Sequence, residues 1–354
     1  NSTITFNGNS TFGGVHQLNN ITIAGTMLRM ATASRMSIKG AFTGAAANFD
    51  ASTPSTIIYN GGAQSINSVT YYNLQLATSN TTKTAAGNIE TLGTLSVGAN
   101  VSFNAGGYTH TLHGNWLHDG NYTGASSSLV FAGTADAKIA KSGEPLSANP
   151  IVVAGITVNK TASSVVLTEF NITTNTLALT SGSISTIKDG VDPFSASAIK
   201  VKLLGERSGS GWVQGTITRE IAGVGFTNRV EGYAFNGEYA KIIFGTVSGV
   251  NEITMTTVPN KQVKGFRDGV PINRLYKVSV VGGSYSGATI QIQYEDSELN
   301  GNIEELEEGI KTSHSATYDE IAGGNWAAGV RDGYHVIQNW SGRNGYSSAD
   351  PDKN

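Results

Sequence analysis

Along the first half of this chain, short runs in which every second residue is apolar return again and again, separated by Ser, Thr, Asn and Gly. Asn19-Asn-Ile-Thr-Ile23, Tyr72-Asn-Leu-Gln-Leu76, Gly93-Thr-Leu-Ser-Val97, Ala154-Gly-Ile-Thr-Val158 and Asn175-Thr-Leu-Ala-Leu179 all alternate in this way. A period of two predicts strands with one buried face, and none of these runs reads as a helix. One phrase comes back three times, as Ser2-Thr-Ile-Thr-Phe-Asn-Gly8, Ser55-Thr-Ile-Ile-Tyr-Asn-Gly61 and Ser127-Ser-Leu-Val-Phe-Ala-Gly133. Its copies are far apart and unevenly spaced, so each period is expected to hold several strands of a repeat architecture.

Residues 1–190 are therefore expected to form a parallel β-helix-like β-solenoid. Ile4, Ile21, Ile23, Leu74, Leu76, Leu95, Val97, Ile156, Val158, Leu177 and Leu179 would be its buried column, with Ser, Thr and Asn outside. Successive coils would supply one another's apolar cover. A sandwich of long antiparallel strands is the alternative for this region. The 44 Gly against 7 Pro suit strands joined by tight turns.

The texture changes at Ile184-Ser-Thr-Ile-Lys-Asp-Gly-Val-Asp-Pro193, which mixes Gly, Pro and charge. Residues 1–190 hold 8 Lys and Arg with 7 Asp and Glu, whereas 191–354 hold 15 and 19, more than twice the charge density. Beyond the change come longer strand patterns at Ile199–Leu204, Trp212–Arg219, Ala240–Phe244, Glu252–Val258, Leu275–Val281 and Ala288–Tyr294. Their spacing predicts an antiparallel β-sandwich of immunoglobulin or jelly-roll type over 191–354. The whole is all-β.

Charge and composition narrow the chemistry. A chain without Cys has no disulfide framework, thiolate metal site or Cys nucleophile. A formal net charge of −3 gives no electrostatic footprint for nucleic acid or an anionic membrane. No apolar run approaches the ~20 residues of a membrane span, so membrane insertion is not expected. Residue 1 opens directly into a strand phrase and Ser347–Asn354 shows no sorting signal, as in a mature piece or an excised domain.

Candidate chemistry is sparse. His110, His113 and His118 form the densest His group, but strand alternation sends His110 and His113 to opposite faces, so they are expected as exposed coil side chains and not as a metal grip. The acidic run Glu295–Glu308 could offer oxygen ligands to Ca²⁺, yet it lacks the D-x-D-x-D-G spacing of a calcium loop, and no other cofactor is expected. In the repeat region Asp50, Glu90, Asp119, Asp136, Glu144, Glu169 and Asp189 are scattered singly, where a polysaccharide-cleaving site would need two apposed carboxylates. No G-x-S-x-G, H-E-x-x-H or phosphate-cradling Gly loop is present. Aromatic residues outside aliphatic runs, namely Trp116, Tyr122, Trp326, Tyr334, Trp340 and Tyr346, either cap the core or stack on sugars; Trp326, Tyr334, Trp340 and Tyr346 are the glycan-stacking candidates.

The order of these patterns resembles the large secreted and cell-surface strand-repeat proteins of Bacteroidota bacteria. Gly211-Trp-Val-Gln-Gly-Thr-Ile-Thr-Arg219, Asn273-Arg-Leu-Tyr276 and Tyr294-Glu-Asp-Ser-Glu-Leu-Asn-Gly301 match that family's G-x-V-x-G…R opening, N-R-x-W/Y strand and Y-x-D-x-E-L-x-G strand. The resemblance implies an adhesin-like protein exported by the type 9 secretion route to the bacterial surface, and it reads Asp296 and Glu298 as a turn that bonds its own backbone. The sorting domain of such substrates is absent from the sequence, as processing or truncation would leave it. The expected function is a non-catalytic structural or adhesive surface protein, with a fibre or array subunit as a variant; its partners would be other copies of itself, other surface proteins and glycans. A secreted carbohydrate-binding or polysaccharide-degrading protein is the alternative.

Overall fold

In a computed structural model the chain is 58% strand with no α-helix among the described residues. The structure describes all residues except 1, 26, 79, 143–149, 162–163, 221–231, 239, 245, 262–272, 287, 294–295, 299–304, 308–309, 313–327, 332–333, 341–345 and 348–354. It divides into two compact units, Asn1–Ser183 and Ile184–Asn354, so the division falls at the head of the Ile184–Pro193 segment.

Unit 1 is a β-solenoid of about eight turns. Each full coil lays down three short strands, and every strand pairs in parallel with its counterpart one coil away. The first wall begins with Thr3–Phe6, Asn20–Ile23 and Phe42–Gly44. A second wall runs from Ser10–Phe12 and Leu28–Met30 through Thr109–Leu112 and Ser128–Gly133 to Ile151–Lys160 and Ile172–Ser181. The third carries Val15–Leu18, Arg35–Ile38, Leu95–Val97, Trp116–His118 and Ala137–Ala140. The strands Phe49–Tyr59 and Thr70–Leu76 are long enough to serve the second and third walls together.

Register fixes the coil length. Ile4 lies opposite Ile21, Leu74 opposite Leu95, Leu95 opposite Trp116 and Ala137 opposite Val166, so one coil takes 17 to 29 residues. The thrice-repeated phrase is not this repeat: Ser2–Gly8 lies on the first wall, Ser55–Gly61 on the third and Ser127–Gly133 on the second. What recurs is a position. On the third wall Met36, Ile57, Leu74, Leu95, Trp116 and Ile139 stack in one inward column, none more than 3% exposed. Ten of the eleven side chains expected in the core are buried; the exception is Ile4, 41% exposed and paired with Ile21.

Corners need a different device, since a backbone N–H leaving one strand for the next has no ladder partner and still requires an acceptor. Side-chain oxygens of the preceding coil supply it. Asn20 Oδ1 accepts from the Ala41 N–H at 2.9 Å, Asn73 Oδ1 from Thr94 at 2.8 Å, Asn88 Oδ1 from Thr109 at 3.1 Å and Asn115 Oδ1 from Lys138 at 2.9 Å. Glycine makes room for these bridges. A Cβ at Gly40 would lie 2.1 Å from Asn20 Oδ1, and one at Gly93 would lie 2.5 Å from Asn73 Oδ1.

The corner at Gly61 buries a cation. Lys83, fully buried, donates from Nζ to the carbonyls of Gly61 (2.7 Å) and Gly62 (2.6 Å) and to Gln64 Oε1 (2.8 Å). Gln64 in turn donates to the carbonyls of Ile38 and Gly40 and accepts from the Gly61 N–H. Three acceptors match the three donors of an ammonium, which is how a lysine is held without a carboxylate.

Unit 2 does not open as an antiparallel domain. Lys200–Leu203 pairs in parallel with Thr216–Arg219, and Ile184–Ser185 in parallel with Val213–Gln214. Only on the other edge of Val213–Glu220 does the direction change, to Glu252–Pro259 and then Arg274–Val281, both antiparallel. The strands Ile199–Leu204 and Trp212–Arg219, expected as sandwich strands, are thus parallel neighbours, because the chain between them returns to the same end before the second strand starts. A further antiparallel sheet joins Tyr233–Ala234, Lys241–Ile243, Ala288–Gln293 and Tyr334–Trp340.

The corner geometry separates two adjacent glycines. A Cβ at Gly61 would sit 1.7 Å from the Lys39 carbonyl oxygen, whereas one at Gly62 meets nothing within 4 Å. Gly61→Ala should therefore cost about 1–3 kcal/mol in urea unfolding, the usual range for overpacking, and Gly62→Ala about 0.5 kcal/mol or less. Equal losses at the two positions would refute the stacking described for this corner.

Candidate functional site

The His group is split by the strands that carry it. His110 occupies an inward place on the second wall, in register with Leu129, Ile156 and Leu177, and His118 ends the third-wall column of Leu76 and Val97. They are 2% and 5% exposed, so the expectation of exposed coil side chains fails for both: strand alternation puts them where neighbouring coils place aliphatic residues. His110 Nε2 is 2.9 Å from the Ala105 carbonyl oxygen, and its Nδ1 accepts from the Ile89 N–H at 3.3 Å. That pair of bonds requires the neutral ring with its proton on Nε2. His118 packs against Trp116 at 5.0 Å, Phe170 at 5.3 Å and Tyr122 at 6.4 Å between ring centroids, and its buried Nδ1 has no hydrogen-bond partner. Trp116, 1% exposed, and the half-buried Tyr122 belong to this same interior cluster.

His113 points the other way, as alternation predicts, and meets a carboxylate from the previous coil. Its Nε2 is 2.9 Å from Glu90 Oε1, and Glu90 Oε2 accepts from Thr70 Oγ1 at 2.7 Å. The Thr70 hydroxyl, then His113, hold the Glu90 carboxyl below its ordinary pKa against the opposing effect of burial. His113 and Glu90 are 23 residues apart, close to one coil, and nothing in the sequence links them until the coil length is known.

The other carboxylates of unit 1 are likewise committed to neighbouring backbone or side chains. Asp119 accepts from the N–H and Oγ of Ser142, Asp136 from the Val165 N–H, and Glu169 from the Lys141 N–H and, at 2.8 Å, Lys138 Nζ. Asp50 bonds Ser52 and faces Arg29 at 4.0 Å. Glu144 lies outside the described residues. Among the described residues no group of three His, Asp or Glu is placed to hold a metal ion.

In unit 2 three distant stretches converge. Arg274 donates from Nε to Glu298 Oε2 at 2.5 Å, with both side chains at most 4% exposed, and its guanidinium lies 3.9 Å from the centre of the Trp212 ring. The Glu298 carbonyl accepts from the Asn273 N–H at 2.7 Å. Trp212, Arg274 and Glu298 come from the three motifs read in the sequence, so those motifs mark one buried knot. Asp296–Glu298 forms a short 3-10 turn, and from it the Glu298 carboxylate crosses to Arg274. The side chains of Glu295, Asp296 and the run from Glu304 to Glu308 lie outside the described residues.

Of the glycan-stacking candidates, Trp326 lies outside the described residues. Tyr334 and Trp340 bound the strand Tyr334–Trp340 and Tyr346 opens Tyr346–Ser347, with their side chains again outside the described residues. No helix among the described residues is long and apolar enough to cross a membrane. No protein-family model, curated protein or solved structure matches the chain.

Burial holds the His118 imidazole at about 4, below the ordinary 6.5, with Asp119 opposing and Lys141 reinforcing that shift. In the unfolded chain the ring takes its proton near 6.5, so between these values the unfolded state binds more protons and stability falls as pH falls. The loss should reach about 3 kcal/mol by pH 4 and stay level below it. His118→Phe keeps a ring in place without the proton; its stability profile over this window should be flatter by that amount, and a profile parallel to wild type would refute the assignment. In unit 2, Glu298→Gln leaves the Arg274 charge buried without its counterion and should cost about 3–5 kcal/mol, while Arg274→Met with Glu298→Leu should cost less. Thermal unfolding that ranks the double variant as the weaker would show that the ion pair does not hold the knot.

Proposed function

We propose that the chain is a non-catalytic extracellular protein of a bacterial surface, structural or adhesive in role, acting through the faces of its coils and sheets. The observation that carries this reading is the use of every described carboxylate of unit 1 as a structural acceptor, for a turn, a neighbouring coil or a basic side chain. A hydrolase or lyase needs acidic groups aimed together at a substrate; here they are spent singly along the stack. Outward positions carry Thr, Ser and Asn, as in the half-buried Thr22 and the exposed Thr43, whose hydroxyls bond one another at 2.8 Å. Such rows offer hydroxyls and amides to a flat partner such as another copy, another surface protein or a glycan.

Two finer elements belong to the same proposal. The antiparallel sheets of unit 2 stack as a β-sandwich, and export follows the type 9 route of Bacteroidota surface proteins; the latter rests on the motif resemblance around Trp212, Arg274 and Glu298. Electron microscopy of the purified chain over a concentration series, with a panel of polysaccharides assayed in parallel for new reducing ends and unsaturated sugars, tests the reading. Fibres or arrays with a one-subunit repeat, or dispersed particles that retain a glycan without cleaving it, are the expected outcomes. Turnover of any polysaccharide would overturn it.

A further inference from the structure

On the first wall of unit 1 the outward places form a regular grid. In its three-stranded sheet Thr5, Thr22 and Thr43 lie side by side on successive coils. The wall continues in the four-stranded parallel sheet of Gln64–Ile66, Thr81–Ala85, Val101–Asn104 and Asn121–Thr123, each strand again the next in the chain after one of the third wall. There Ser65, Thr84, Asn104 and Thr123 make one outward column. Thr82, Ser102 and Asn121 make a second, two residues away along each strand. The side chains of both columns are exposed or half-buried, while Lys83 and Phe103 between them point inward and are buried.

The grid is chemically uniform. Charged residues take outward places on the other walls, Arg29 and Asp50 on the second and Arg35 and Lys138 on the third. In the described strands of the first wall the one charged residue is Lys83, held inside. Its rings also face in: Phe42 and Phe103 are buried, and Tyr122 belongs to the interior cluster around Trp116. The wall thus has no ring on which a sugar could stack and no cation for a phosphate or an acidic polymer. What it presents is neutral donors and acceptors of similar size, spaced by the backbone at about 4.8 Å from coil to coil and about 6.6 Å along each strand. Thr is stiff at χ1, and the hydroxyls of Thr22 and Thr43 fix one another, so the grid is ordered before anything binds.

We infer that the first wall of unit 1 binds the surface of ice. The two intervals of the grid lie close to the oxygen repeats along the a and c axes of hexagonal ice, which is itself a neutral lattice of donors and acceptors. Hydroxyls and amides held at that spacing take the place of lattice water on successive coils. Each contact is weak, and their number along the stack supplies the hold. The inference does not rest on the surface location or the export route proposed above.

The test uses the full chain. A solution of it is frozen slowly from one side, and the protein taken into the ice is quantified against that left in the liquid. The expected result is incorporation of the wild type. Thr43→Lys and Thr84→Lys should be incorporated about tenfold less, since a desolvated ammonium against a neutral lattice costs more than the roughly 1.4 kcal/mol that separates tenfold steps in affinity. Val152→Lys adds the same charge at an exposed place on the second wall and should enter ice as the wild type does. Thr43 and Thr84 lie in different sheets, and the Tm of each variant separates lost binding from lost fold. Exclusion of the folded wild type from ice overturns the inference without recourse to any variant. Wild-type incorporation of folded Thr43→Lys and Thr84→Lys, or a loss in Val152→Lys equal to theirs, overturns it as well.

Discussion

Everything in unit 1 depends on the parallel register between one coil and the next. A coil of some 20 residues has no interior of its own; Leu74 is covered because Ile57 lies on one side of it and Leu95 on the other. Backbone pairing and apolar cover are thus the same event, and a slip of one residue would turn the whole inward column out to water. Coil length can vary from 17 to 29 residues because the register returns after each extra stretch, whether it falls between strands or as an irregularity within them, as inside Phe49–Tyr59. The corner bridges of Asn20, Asn73 and Asn115 work on the same constraint from outside, tying the N–H groups that leave the ladder to the coil before.

That constraint also decides where ionisable groups go. A strand position faces in or out by parity alone, so a charged or titratable residue at an inward place must be satisfied there. Lys83 finds three oxygens at a corner, and Lys160 reaches the carbonyls of His113 and Ala132. His110 bridges two backbone groups as the neutral ring. His118 has no such bridge and is held by aromatic packing, which makes it the weaker joint of this coil in acid.

Strand class and the inward parity were legible in the sequence, because alternation of small polar and aliphatic residues leaves no other account of Asn19–Ile23 or Gly93–Val97. Coil length was not. Each inward place asks only for an apolar side chain of fitting size, so Met36, Ile57, Leu74 and Trp116 fill equivalent positions while the conspicuous phrase at Ser2, Ser55 and Ser127 falls on three different walls. With coil length hidden, the meeting of Glu90 with His113 was hidden too. Parity does place His118 inward, two residues from Trp116 on a three-residue strand, but its polar residue type masks that signal. Lys83 gave no signal at all, since Thr81–Ala85 contains no large apolar residue.

In unit 2 the sequence misled in the opposite sense. High charge density suggests solvated faces, yet Arg207, Arg219 and Arg274 are interior. The motifs around Trp212, Arg274 and Glu298 look like surface signatures when read one at a time, and become intelligible only as a single contact: a planar guanidinium stacked on an indole and closed by a carboxylate. Each member is costly inside without the others, since an unpaired buried charge or a lone carboxylate would destabilise the sheet that carries it. Three separated stretches of sequence are therefore bound to one another by desolvation, and residue choice at each is dictated by the other two. Charged residues at strand positions of an otherwise apolar sheet are better read as halves of buried pairs whose partner has to be sought than as evidence of exposure.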